Sequence, residues 1–213
     1  MINLKFDNTK PLKILALGAH CDDIEIGCGA TIIKLLEQHP DAEIYWIVFS
    51  SNAVRKTEAN NSALDYLRGH KLQHIEINDF RNGFFPYIAS DIKEYFETIK
   101  QKLNPDIIFT HYTKDKHQDH RTISELTWNT FRNHMILEYE IAKYDGDLST
   151  PNFYSILSQN LASRKITKLM EHYSSQLEKH WFSEDLFYSL MRLRGIESAT
   201  EYAEGFHVMK STF

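Results

Sequence analysis

One imidazole and two carboxylates stand together in Ala19-His20-Cys21-Asp22-Asp23-Ile24-Glu25, directly behind the apolar run Leu12–Leu17. On a turn leaving a strand, residues two apart can share a direction. His20 with one aspartate can therefore hold a metal ion while the other aspartate holds a water. A catalytic zinc takes three N/O ligands and leaves a position for water, whose pKa it lowers to about 7. A carboxylate outside the ligand set can then take the water's proton. The plainer role for such aspartates is to cap the helix that follows. A second cluster, His117-Gln118-Asp119-His120, follows another apolar run, Ile107-Ile108-Phe109. It offers a third nitrogen ligand, a spare imidazole, and Asp119 placed to orient a histidine.

These clusters need a scaffold that brings two strand ends together. Apolar runs alternate with helix-period segments along the chain, which predicts an α/β fold with a mainly parallel sheet. Strands are expected at Leu12–Leu17, Ile44–Phe49, His74–Ile77, Ile107–Phe109 and Met135–Ile141, with a short extended piece at Phe153–Ile156. Helices are expected at Gly27–Gln38, Arg55–Leu67, Ile88–Leu103, Thr122–His134, Ser158–His172 and Glu184–Leu193. In such sheets ligands bind beyond the C-terminal strand ends, where both clusters fall. The expected architecture is a Rossmann-like three-layer sandwich with a C-terminal cap over about residues 146–213, all within one domain spanning 1–213.

The chain has 213 residues, 42% hydrophobic and 25% charged, with a net charge of −5. No basic block is present to neutralise phosphates, so a nucleic-acid partner is not expected. Lys165, Lys168 and Lys179 are read as a solvated helix face. No run approaches the about 18 apolar residues of a transmembrane helix, and Met1–Lys10 is polar, so a cytoplasmic location is expected. Cys21 and Cys28 are read as reduced thiols. Gly27-Cys28-Gly29 lacks the further residues of a nucleotide-binding loop. No heptad or other interface signature is present, and a homo-oligomer is left open.

The same residues resemble the zinc-dependent sugar N-deacetylases of the LmbE-like, or PIG-L, family. That family opens on a strand followed by Ala-His-Pro-Asp-Asp-x-Glu-x-Gly-Cys-Gly-Gly, against Ala19-His20-Cys21-Asp22-Asp23-Ile24-Glu25-Ile26-Gly27-Cys28-Gly29-Ala30 here. Its His-x-Asp-His motif matches His117–His120, its Arg-x-x-Glu segment Arg55–Glu58, and its Tyr-Ala-Glu ending Tyr202–His207. The resemblance implies that His20, Asp23 and His120 bind Zn2+ and that Asp22 is the general base. It gives His117 the oxyanion or a proton donation, with Asp119 orienting a histidine, and brings Arg55 to the substrate sugar. Cys21 replaces the family's proline and is expected to point away from the metal.

Around this set, His207 and Arg81 are candidate substrate-binding residues, and His111 is read as a pocket wall or a solvent-facing loop residue. Glu25 is read as a first-turn acid favoured by the helix dipole. The aromatic loop Asp79–Tyr87 is read as a sugar-facing wall or as core. The expected function is hydrolysis of the N-acetyl group of an amino-sugar derivative of the N-acetylglucosamine type. The partner would be a small N-acetylated sugar or glycoconjugate. The alternatives are a related zinc amidase or deformylase, and a sugar-binding module without catalysis.

Overall fold

The computed structural model describes residue 6 and residues 10–212; most of the polar N-terminal stretch considered above lies outside the described residues. Seven strands form one sheet: β1 (Lys13–Gly18), β2 (Glu43–Val48), β3 (Leu72–Ile77), β4 (Ile107–His111), β5 (Met135–Tyr139), β6 (Phe153–Leu157) and β7 (Tyr202–His207). Their order is β3-β2-β1-β4-β5-β7-β6. The first five run parallel, and β7 pairs antiparallel with both β5 and β6. The six helices are α1 (Asp23–Gln38), α2 (Ala53–Tyr66), α3 (Ala89–Lys102), α4 (Gln118–Thr130), α5 (Gln159–His172) and α6 (Glu184–Glu197).

Strand side chains alternate between the two faces. Ile14 and Ala16 of β1 enter a core closed by α1, α2, α5 and α6, while Leu15 and Leu17 enter one closed by α3 and α4. The C-terminal segment expected as a cap supplies α5 and α6 to the first layer and also two strands to the sheet edge. β7 is not among the expected strands. Ala203 and Gly205 give it little β character, and Glu204 is buried inside it.

Two helix starts come a full turn earlier than expected, and both shifts matter to the site. Helix α1 begins at Asp23 rather than Gly27, and α4 begins at Gln118 rather than Thr122. Asp23, Asp119 and His120 therefore belong to first helical turns, held by backbone rather than by a loop. Strand β4 also runs on to His111.

Helix α1 is almost wholly buried, which requires polar as well as apolar fits. Lys165 of α5, expected on a solvated face, is 2% exposed and pairs with Glu204 at 2.6 Å. The Glu204 carboxylate accepts the N–H groups of Ala30 and Thr31, and Lys165 Nζ donates to the Ile26 carbonyl. A buried ion pair persists only when its remaining donors and acceptors are satisfied, and here the middle of α1 does so.

Gly27 lets α1 lie against β5: a Cβ there would sit 2.1 Å from the Tyr139 ring. Gly27→Ala is expected to destabilise the protein by about 2 kcal/mol, overpacking outweighing the gain in helix propensity. Urea midpoints with the slope unchanged check this, and an unshifted midpoint would contradict it.

Candidate active site

The chain order places β1 at the switch point of the sheet, with β2 on one side and β4 on the other, where a crevice opens beyond the strand ends. A cleft of about 1060 Å³ lies there, lined among others by His20, Asp22, Asp23, Arg55, His117 and His120. His20 Nδ1 stands 3.1 Å from His120 Nε2 and 3.3 Å from Asp23 Oδ2, and His120 Nε2 is 3.6 Å from the same oxygen. A tetrahedral zinc with bonds of about 2.0–2.1 Å keeps its donors about 3.3 Å apart. These three atoms already have that spacing.

Hydrogen bonds on the far side of each ring fix what faces inward. His20 Nε2 lies 3.3 Å from Asp119 Oδ2, and His120 Nδ1 lies 2.9 Å from Asp115 Oδ2. Each outer nitrogen thus directs its proton to a carboxylate, and two lone pairs meet beside a third carboxylate. That arrangement demands a cation. Burial opposes charge on His20, yet Asp23 and Asp119 override it and raise its pKa to about 10. Burial and the neighbouring His111 push His120 the other way, to about 3. Burial also disfavours charge on Asp23, but the imidazoles of His120, His111 and His20 hold its carboxyl well below the usual range.

Asp119 does more than orient His20. It accepts the N–H groups of Gly83 at 2.6 Å and Phe85 at 3.1 Å, pinning the loop 79–87 to the site. That loop divides its aromatics: Phe85 is core, Phe80 lines the cleft together with Arg81, and Tyr87 is exposed. His117 Nδ1 accepts the N–H of Asp119 at 3.2 Å, so the proton of its neutral ring sits on Nε2. Burial, aided by His20, lowers the His117 pKa and keeps the ring neutral.

Asp22 is buried beside these groups, with Arg55 Nη2 2.9 Å from its carboxylate. Burial raises its pKa against the pull of Arg55. Arg55 is thus tied to Asp22, with Glu58 3.9 Å from its Nε and the Tyr173 ring 5.2 Å away. Cys21 points away from the three donors, its Sγ donating to the Ser50 carbonyl, and burial pushes the thiol up to about 12. Both cysteines are free. His207 is not brought to the cleft: it stacks on Tyr112 with centroids 3.9 Å apart.

Of the supporting residues, His111 and Glu25 take roles other than those expected, and Asp115 and Lys143 escaped the sequence reading. His111 is fully buried; its Nε2 faces the Ala19 N–H, the Tyr139 hydroxyl and Asp23. Engaged in this way, His111 braces the end of β1. Asp115 holds His120 on one oxygen and Lys143 on the other at 2.9 Å, with Asp147 2.8 Å from the same ammonium. An acid five residues before the second histidine of the motif was a local signal; Lys143 gave none. Glu25 is a buried group rather than a dipole partner, accepting from Ser62 and Tyr173, and burial raises its pKa to about 7.

The family described as GlcNAc-PI de-N-acetylase, PIG-L, matches residues 15–131. The uncharacterized deacetylase YaiS of Escherichia coli is 29% identical over 138 residues, covering 60% of this chain and 72% of that protein. Among solved structures, N,N'-diacetylchitobiose deacetylase from Pyrococcus horikoshii superposes with a TM-score of 0.70 at 20% identity, covering 96% of this chain and 87% of that one. The 4-carboxy-2-hydroxymuconate hydratase GalB of Pseudomonas putida has a TM-score of 0.76 at 14% identity, covering 95% and 98%.

If Asp115 fixes the inward-facing lone pair of His120, Asp115→Asn should weaken divalent-metal binding by about 10–100-fold while the fold persists. Chelator competition measures this directly, and an unaltered affinity would contradict the assignment.

Proposed function

The chain belongs to the PIG-L family, and from that premise we propose that it is a zinc-dependent N-deacetylase of amino-sugar derivatives, working as one domain in the cytoplasm. The observation that carries the reading is the convergence of His20 Nδ1, Asp23 Oδ2 and His120 Nε2 at ligand spacing. Fold likeness alone does not choose the reaction, since a hydratase shares the fold. Both thiols are free, and no described helix is long and apolar enough to cross a membrane.

A zinc ion held by these three residues supplies a Lewis acid for the amide carbonyl and lowers the pKa of water. Asp22 lines the cleft beside that set and, with its pKa raised by burial, takes a proton from the attacking water. Arg55 fixes the carboxylate so that one oxygen stays engaged and the group cannot swing away. His117 offers Nε2–H to the oxyanion as the carbonyl carbon becomes tetrahedral, a role that suits a neutral donor. When the C–N bond breaks, the proton on Asp22 passes to the departing nitrogen, leaving acetate and a free amine. Arg81, which also lines the cleft, contacts the substrate outside the acetyl group.

Asp22→Asn should keep its zinc and lose about 10²–10⁴-fold in kcat for acetate release from N-acetylated sugars. Turnover near that of the native protein would remove Asp22 from the base role.

A further inference from the structure

Arg55, Arg81, Lys143 and Lys179 all line the cleft, and they are held in different ways. Arg81 Cζ stands 3.5 Å from the Phe84 centroid, and Lys179 Nζ 5.8 Å from that of Trp181. Lys179, expected on the solvated face of a helix, thus follows the end of α5 and stands on the cleft wall. Arg55 is tied to Asp22. Lys143 has an 8% exposed side chain, and its ammonium is committed to carboxylates, one of which also holds His120.

Lys143 Nζ lies 2.9 Å from Asp115 Oδ1, 2.8 Å from Asp147 Oδ2 and 3.7 Å from Asp145 Oδ2. Asp115 Oδ2 holds His120 Nδ1 at 2.9 Å, while Oδ1 accepts the backbone N–H of His117 at 2.7 Å. One carboxylate therefore serves both histidines of the second motif. Asp147 accepts the Lys116 N–H at 2.6 Å, so the same ammonium staples the segment 143–147 to the turn that leads into α4. Lys143 and Asp147 lie beyond the residues 15–131 that match the family, so the staple comes from outside the matched motifs.

Carboxylate oxygens of Asp115, Asp145 and Asp147 lie within 4.8 Å of one another. Like charges at that range repel, and burial of Asp115 weakens the screening between them. The ammonium offsets the repulsion and occupies Oδ1, which leaves Oδ2 to His120. Without it Asp115 is pushed from its place, and His120 loses the bond that turns its Nε2 lone pair inward.

We propose that Lys143 is a positioning residue for the metal centre: its ammonium fixes the Asp115 carboxylate, which in turn aims His120 at the ion. The proposal deepens the zinc-site reading and rests on it, whatever sugar the cleft accepts.

A double-mutant cycle on the full-length protein tests this, with zinc affinity read by chelator competition and not by turnover. Lys143→Met should weaken zinc binding about tenfold, within the range found for outer partners of metal ligands. In the Asp115→Asn background the same substitution should change affinity by less than about twofold, because the carboxylate it acts through is already altered. Melting curves identify folded variants. If Lys143→Met does not fold, Lys143→Gln, which keeps a neutral N–H donor but no charge, enters the cycle with the same criteria. A staple that only ties two loops together would lower the melting temperature and leave zinc affinity in place. A loss below about threefold in the native background, or a similar loss in both backgrounds, overturns the role of Lys143 and leaves the zinc site intact. A native chain that takes up no zinc overturns the zinc reading and the role of Lys143 with it.

Discussion

The site depends on one electrostatic constraint: donor atoms that face each other in a buried space need a positive charge between them. His20, Asp23 and His120 meet at 3.1–3.6 Å; the outer nitrogens of the two rings are committed to Asp119 and Asp115, and Asp23 Oδ2 also accepts the backbone N–H of His20. The rings cannot relieve the opposed lone pairs by turning without breaking those outer bonds. The surrounding structure thereby stores a preference for a cation, which a metal satisfies more fully than a proton because it takes all three donors at once.

Holding that geometry is the work of elements far from the cleft. Asp23 lies in the first turn of α1, so its position depends on how α1 is seated. Gly27 brings the helix against Tyr139, whose hydroxyl donates to the Leu17 carbonyl near the end of β1. On the other flank the Lys165–Glu204 pair satisfies polar groups in the middle of the same helix. The C-terminal Tyr-Ala-Glu segment therefore serves the site through packing and not by touching it. His207, one turn of pleat beyond, stacks on Tyr112 away from the cleft.

How much of this the sequence disclosed follows from the range of each interaction. The two His/Asp motifs are local, and an apolar run before each placed them on one sheet rim. The strand pattern and sheet class were legible for the same reason, because burial on both faces leaves nearly continuous apolar runs. The helix starts were set late because Asp23 and Gln118 are polar and carry no periodic signal of their own. Lys165 read as solvated because a charged side chain on an amphipathic helix usually is; only Glu204, 39 residues away, makes it core. The Asp115–Lys143 link and the Trp181 wall are likewise tertiary, joining segments that no local pattern connects.

The central claim is the identity of the donors around the ion, and X-ray absorption on zinc-loaded protein reads it most directly. The account predicts imidazole nitrogen and carboxylate or water oxygen at about 2.0–2.1 Å, with no sulfur in the shell, because the Cys21 thiol faces Ser50. A sulfur contribution at about 2.3 Å, or a shell without imidazole, would contradict it.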